Sequence, residues 1–433
     1  MAFLTDLDSR AAIKGSRDPL ATQSIWVPLG RKVVGNLTTV STSVRDFTVL
    51  VLGFWLVERA KDRGAAEPDV SLFLKWEQLA GYVRHEHKLG PFRGSDQVGK
   101  RRSESSRVTL SADRANQILS NQKLYGLWGL YTVPGRSSGL LDADPLRLTP
   151  RARDFVESVY IPALAKHGFR DAEAITRLLV MPTAKIDMEG KEEPLVKAIA
   201  SILRPSKLTA VERQFFDEML VQGGPHDETG GRQRRMADLL FETLEDEDFA
   251  FTPRRVDRLA RAAKDRETPG ALAIRLERIR HCETVLAPAS GLFQYLLARD
   301  RKRPSDLADE VRKAWGGSLA HLDLDAIAEM SEELLAILGD REAVERWLAV
   351  AADLRHGRYE DAIERLILHN KAVMKQRGGA APWIELRGGR LHVAFRDEEA
   401  ALPARDDLPS LWRSSYFLDS LREMVRQVRR AAA

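Results

Sequence analysis

Only one cysteine, Cys282, occurs in a chain of 433 residues. That excludes an intramolecular disulfide and any zinc site built on several thiolates. Long apolar runs are missing as well. The most hydrophobic stretch, residues 47–57, is about half of the roughly 20 residues needed to span a bilayer, and it reads as a buried helix. Residues 1–19 are mixed and charged, without the apolar core of a signal peptide. These absences lead us to expect a cytoplasmic protein with no membrane association. Signatures of catalysis are equally scarce. There is no phosphate-binding Gly-x-x-x-x-Gly-Lys loop, no dinucleotide-binding glycine turn, no Gly-x-Ser-x-Gly elbow and no His-Glu-x-x-His pair. The composition calls for no cofactor and no bound metal.

His85-Glu86-His87 has the wrong spacing for one helix face and reads as surface histidines beside a loop. Asp187, Glu189 and Lys191 could hold a divalent cation and position water as in a metal-dependent nuclease. Their helical surroundings and Gly190 favour a charged loop. His369-Asn370-Lys371 reads as helix surface. Cys282 lies between His281 and Glu283, neighbours that point different ways on a helix, so a buried thiol is expected rather than a nucleophile pair.

What the sequence does have is charge, unevenly spread. The formal net charge is only +4. Between Arg93 and Arg153, eleven Lys/Arg face five Asp/Glu, giving +6, so the remainder sums to −2. Between His321 and Asp361, eleven acids face four bases, giving −7. Such asymmetry bears on partners rather than on fold.

The pattern is mainly α. A small polar run, Gly35 to Ser43, precedes a helix beginning at Val44 with Ser43 as its cap. The run reads as a capped loop, the alternative being an anion held by backbone amides at the helix start. A second helix covers residues 72–85, and residues 90–106 read as a basic loop. Residues 112–122 form a helix capped by Ser111. Leu130-Tyr131-Thr132-Val133 has strand character, Pro134 to Gly139 reads as a turn, and Leu140-Leu141 returns. Leu146-Arg147-Leu148 extends the sheet, Thr149 caps the next helix with Pro150 at its first position, and Pro162 should kink or end it. Helix patterns then succeed one another from residue 172 to residue 374, with Thr209 and Thr252 as caps. Alternation on either side of Gly388-Gly389 signals a hairpin, and a final amphipathic helix covers residues 408–430.

Residues 72–160, and above all Leu146-Arg147-Leu148-Thr149-Pro150-Arg151-Ala152-Arg153-Asp154-Phe155, resemble a winged helix-turn-helix domain. The resemblance implies a reading helix in the major groove and a wing on phosphate or minor groove. On that likeness the contacts would be Arg114, Asn116, Gln117 and Asn121 from the helix, and Arg136, Ser137 and Ser138 from the wing. Lys100, Arg101, Arg102 and Arg107 of the basic stretch would add phosphate contacts. More broadly, the Gly-Asn-Leu-Thr-Thr-Val-Ser segment, the winged-helix section and the long helical remainder resemble accessory proteins of bacterial phage-defence loci. The expected architecture is therefore an N-terminal helical segment (1–68), a winged-helix-like domain (69–168), a large helical domain (169–376) and a β-hairpin with a C-terminal helix (377–433). The expected function is a non-enzymatic DNA-binding subunit of a bacterial multiprotein system, with DNA and protein partners. The alternatives are an interaction scaffold that docks through the winged helix, or a metal-dependent nuclease.

Overall fold

The computed structural model describes residues 18–266, 270–378 and 381–430. The protein is mainly helical, with one small antiparallel hairpin near the C-terminus. The chain divides into two compact units, both discontinuous in sequence. One, here the cavity unit, takes Val34–Glu247 and returns for the residues from Phe417 onward. The other, the hairpin unit, takes the residues up to Val33 together with Asp248–Tyr416. The four consecutive segments expected from sequence are thus replaced by two interleaved bodies. Composition shifts mark loops, but they cannot show that a terminal helix packs with residues two hundred positions earlier.

In chain order the first helix is α1 (Gln23–Arg31), in the hairpin unit. The cavity unit opens with α2 (Val44–Asp62), which is buried on every side from Val44 to Val57. Its partner α3 (Asp69–Glu86) crosses it closely. Gly53 permits the approach, because a Cβ there would lie 2.5 Å from Trp76 Cδ1 and 2.6 Å from Phe73 Cε2. Trp76 Nε1 donates to the Val49 carbonyl at 2.8 Å across the same crossing. Next come α4 (Ser95–Glu104) and strand β1 (Arg107–Ser111). Short α5 (Gln122–Tyr125) and α6 (Leu127–Ser137) follow. Helix α7 (Pro150–Phe155) carries the expected Thr149 cap, whose side chain accepts from the Ala152 amide. It runs through a wide π turn, Val156–Tyr160, into α8 (Ile161–Ala165). Pro162 therefore does not end the helix. The π turn resets the hydrogen-bond ladder just before it, where its missing N–H is tolerated.

The unit continues with α9 (Glu173–Val180), strand β2 (Thr183–Asp187), α10 (Glu193–Leu203), α11 (Ala210–Phe216) and α12 (Arg232–Phe241). Strands β1 and β2 pair antiparallel, Thr109 opposite Lys185. Thr209 forms a capping box with Glu212 at the start of α11.

In the hairpin unit the chain runs through α13 (Pro253–Arg266), the long α14 (Ala271–Leu296), α15 (Pro304–Trp315), α16 (Leu324–Ala328), α17 (Ser331–Leu338), α18 (Arg341–His356) and α19 (Tyr359–Gln376). Strands β3 (Ile384–Arg387) and β4 (Arg390–Val393) meet around Gly388-Gly389, both at positive φ, as the two-residue turn requires. His369 and Asn370, expected on a helix surface, are instead buried. His369 Nε2 pairs with the Leu20 carbonyl at 3.0 Å, and burial pushes its pKa down to about 4. Asn370 donates to Pro19 O and accepts from the Trp383 amide. The polar residues mislead because each satisfies backbone groups outside the helices rather than water. Cys282 is buried, as expected, and burial raises its thiol. The final helix, α20 (Leu418–Arg429), is shorter than the pattern suggested, and it belongs to the cavity unit.

Three expectations within residues 90–141 are corrected. Residues 90–106 contain helix α4 rather than a plain loop. Val98 is the only residue of α4 that is buried, so apolar periodicity could not reveal it. Residues 112–122 do not form one helix; they hold a single 3₁₀ turn, Arg114–Asn116, ahead of α5. The supposed strand and wing at residues 130–139 are helix α6 up to Ser137. The β-branched and aromatic residues there are recruited by packing. The Trp128 ring stacks 5.2 Å from Phe54, and Tyr131 sets its edge 5.1 Å from Phe47. Of the expected sheet only the Leu141–Leu148 bridge is present.

Replacing Gly53 by alanine should force α2 and α3 apart. A loss of about 1–3 kcal/mol is expected, read as a lower urea midpoint with little change in slope.

Candidate functional site

The first turn of α2 carries two charged residues, Arg45 and Asp46, and both are buried. A charge inside a protein needs a partner in good geometry. Arg45 Nη1 meets Glu212 Oε1 at 2.5 Å, and its other nitrogens donate to the carbonyls of Arg204 and Lys207. Asp46 Oδ1 accepts from Arg84 Nη1 of α3 at 2.5 Å, and Asp46 Oδ2 lies 2.9 Å from the Tyr131 hydroxyl of α6. Burial and the neighbouring Asp46 hold that phenol well above its ordinary range. Arg84 Nη2 donates to Pro91 O at 2.8 Å, and its guanidinium lies 5.3 Å from the Phe92 ring.

This ion pair borders a cavity of about 670 Å³ within the cavity unit. The wall comprises the loop and first turn at Val40–Asp46, Arg84 and the following segment to Arg93, Pro205 and Ser206, Arg213 of α11, and Glu423, Arg426, Gln427 and Arg430 at the end of the chain. Five arginines face two carboxylates, a formal excess of three positive charges. Both carboxylates are already paired with arginines, Asp46 with Arg84 and Glu423 with Arg426. Gln427 holds the two ends of the site together: its Oε1 accepts from the Val44 amide at 2.9 Å and its Nε2 donates to Thr42 O at 2.8 Å. Arg213 donates to the carbonyls of Val428 and Arg430, which fixes the last turn of α20 against α11.

Beside this layer sits Glu77 of α3, also buried. Its Oε1 accepts from the Leu127 amide at 2.6 Å and its Oε2 from Gln122 Nε2 at 2.8 Å. Burial pushes its pKa up to about 7, with the Asp46 charge adding to the rise and the two hydrogen bonds opposing it. Gly126 is required here, since a Cβ would lie 2.7 Å from the Glu77 carboxylate oxygens.

None of the residues expected to contact DNA lines the cavity. Lys100 and Arg114 are exposed. Arg107, also exposed, lies 3.3 Å from Asp187. Arg101 is a clamp: its guanidinium donates to the carbonyls of Ala115, Asn116 and Gln117. Arg102 is 7 % exposed and pairs with Glu86 and Glu189. The Gln117 side chain braces Ala112 O and the Gln122 amide, and Asn121 caps α5. Arg136 and Ser137 belong to the far end of α6, where Gly135 packs on Leu50 and Leu141. Reversing the charges of Arg101 and Arg102 would therefore test the fold of residues 115–117 before it tested any ligand. The supposed nuclease set is dispersed in ion pairs, Asp187 with Arg107, Glu189 with Arg102 and Lys191 with Glu192. Among the described residues no group of three His, Cys, Asp or Glu side chains could hold a metal ion. Nor, among them, is any helix long and apolar enough to cross a membrane.

The sequence carried two usable signals for this site. Arg45 and Asp46 adjoin the most apolar stretch of the chain, and the C-terminal arginines recur at helical spacing. Comparison with known proteins adds nothing to this description: no family model, curated protein or solved structure matches the chain.

Because Glu77 binds a proton more tightly folded than unfolded, its contribution to stability is fully present below about pH 4.5 and is lost as pH rises through about 7. The loss is of order 3 kcal/mol. In urea titrations at pH 5 and pH 8, Glu77→Gln should remove that part of the decline. An unchanged pH slope in the variant would show that other groups cause it.

Proposed function

We propose that the protein binds DNA without acting on it chemically, as a subunit of a bacterial multiprotein system of the phage-defence kind. The observation that carries this is the arginine excess of the cavity. Five guanidinium groups from separate segments converge where only two carboxylates offset them. Arginine matches phosphate through its planar fork of donors. The lining residues include no histidine and no cysteine, so the chemistry on offer is anion binding.

A second feature favours nucleic acid over a simple anion. Arg93, at the cavity wall, donates from Nε to Tyr125 O at 2.8 Å, which ties the wall to α5. There Leu124 is 55 % and Tyr125 46 % exposed, beside exposed Lys123. An exposed tyrosine on the helix that Arg93 joins to the cavity wall offers a stacking surface for an unpaired base. The basic stretch identified from sequence thus contributes through Arg93 and the tip of α5.

Binding of a labelled single-stranded oligonucleotide, followed by fluorescence anisotropy over a salt series, tests this. Three uncompensated charges on a single strand predict a slope of log K against log salt of about −2. The double variant Arg93→Glu/Arg430→Glu should bind more weakly and show a shallower slope, whereas Arg136→Glu should match the parent. A parent slope near zero, or no binding at low salt, removes the DNA assignment.

A further inference from the structure

The cavity has properties that contact along a continuous strand would not require. Its volume, about 670 Å³, is that of a small-ligand site and suits one nucleotide-sized group rather than a duplex. The N-terminus of α2 borders it, and this helix is 19 residues long. Its cap residue Ser43 makes no side-chain cap bond, and the Val44 amide is taken instead by the neutral amide oxygen of Gln427. Arg84, at 4 % side-chain exposure, lines the same cavity. Two of its nitrogens are engaged, but its Nε has no hydrogen-bond acceptor among the described residues. A buried donor left in that state is destabilising unless an acceptor reaches it.

We propose that the cavity is a phosphomonoester site that takes the terminal phosphate of a DNA strand. This rests on the DNA-binding assignment above. An internal phosphodiester carries one negative charge, whereas a terminal monoester carries about −1.5 to −2 and three acceptor oxygens. The second form is the better match for a formal excess of three positive charges and an unsatisfied arginine donor. Arg84 receives the phosphate beside the N-terminus of α2, Arg93, Arg213 and Arg430, the lining arginines not paired with a lining carboxylate, offset its charge, and Tyr125 stacks the adjoining base. Asp46 holds the Arg84 guanidinium in place and is itself held by Tyr131. A free mononucleotide presents the same chemical group, so strand end and mononucleotide are separated by experiment.

The test uses the full chain and one oligonucleotide sequence in four forms: 5′-phosphorylated, 3′-phosphorylated, hydroxyl at both ends, and circular. A nucleoside and its monophosphate serve as competitors. A phosphorylated linear strand should bind at least about tenfold tighter than the hydroxyl-ended or circular form, in line with gaining charged hydrogen bonds. The monophosphate should compete and the nucleoside should not. Arg84→Lys should lose most of the preference for the phosphorylated end. If that variant does not fold, Arg93→Ala/Arg430→Ala should show the same loss, with Arg136→Glu unchanged as control. Equal affinity for all four forms would overturn end recognition and leave DNA binding standing. Binding of the monophosphate with no binding of any oligonucleotide would uphold the phosphomonoester site, make its source a free nucleotide, and remove the DNA assignment. Failure of every ligand would overturn both.

Discussion

Helix α2 must bury charge at one end in order to bury apolar surface along the rest. From Phe47 to Val57 it is enclosed on all sides, which for an α-helix means packing against several neighbours at once. Its first turn brings Arg45 and Asp46 into the same interior. Neither charge could be buried there without its opposite except at high cost, and the opposites come from elements remote in sequence, Glu212 of α11 and Arg84 of α3. Such pairs add little net stability over well-packed apolar residues, but losing one partner is costly, so they strongly favour one arrangement of the helices. The positions of α3, α6, α11 and α20 all answer to this turn.

The cavity follows from that requirement. Arg84 is held by Asp46 and by Pro91 O, which fixes where the segment to Arg93 leaves α3. Gln427 bonds to the backbone at Thr42 and Val44, which brings the arginines of α20 to the N-terminus of α2. Arg213 ties the closing turn of α20 to α11 through carbonyl oxygens. The positive side chains are thus positioned by backbone and buried-carboxylate contacts. Two of the five arginine charges are offset by carboxylates, and the remaining three are what a ligand would meet. Glu77 shows the cost of the same interior: a carboxyl with two good donors still has its pKa pushed far upward by burial.

The parts of this design legible in the sequence are those governed by local chemistry. The Gly388-Gly389 turn needs two positive φ angles, and glycine supplies them wherever the hairpin packs. Thr149-Pro150 and Thr209 cap helices for reasons contained within four residues. The helix beginning at Val44 is announced by its apolar run. Local signals failed where tertiary contacts decided the outcome. Leu130-Tyr131-Thr132-Val133 has the residues of a strand, yet it is helical because Trp128 and Tyr131 are needed against Phe54 and Phe47 on α2. Helix α4 has almost no buried apolar surface, so no periodicity could betray it.

The expected binding residues show the same division more sharply. Arginine in a basic stretch reads as a phosphate contact, but a guanidinium also satisfies up to five acceptors, and backbone carbonyls are acceptors. Arg101 spends its donors on three consecutive carbonyls, and Arg102 on two carboxylates. What separates a structural arginine from one able to bind a ligand is how many of its donors the protein already uses, and that depends on the fold around it. Arg84 sits between the two cases. Its charge is matched by Asp46 and one donor by Pro91 O, while Nε is buried without an acceptor. In a buried guanidinium a single leftover donor is therefore more informative than net charge, because the protein bears the cost of that donor until an acceptor arrives.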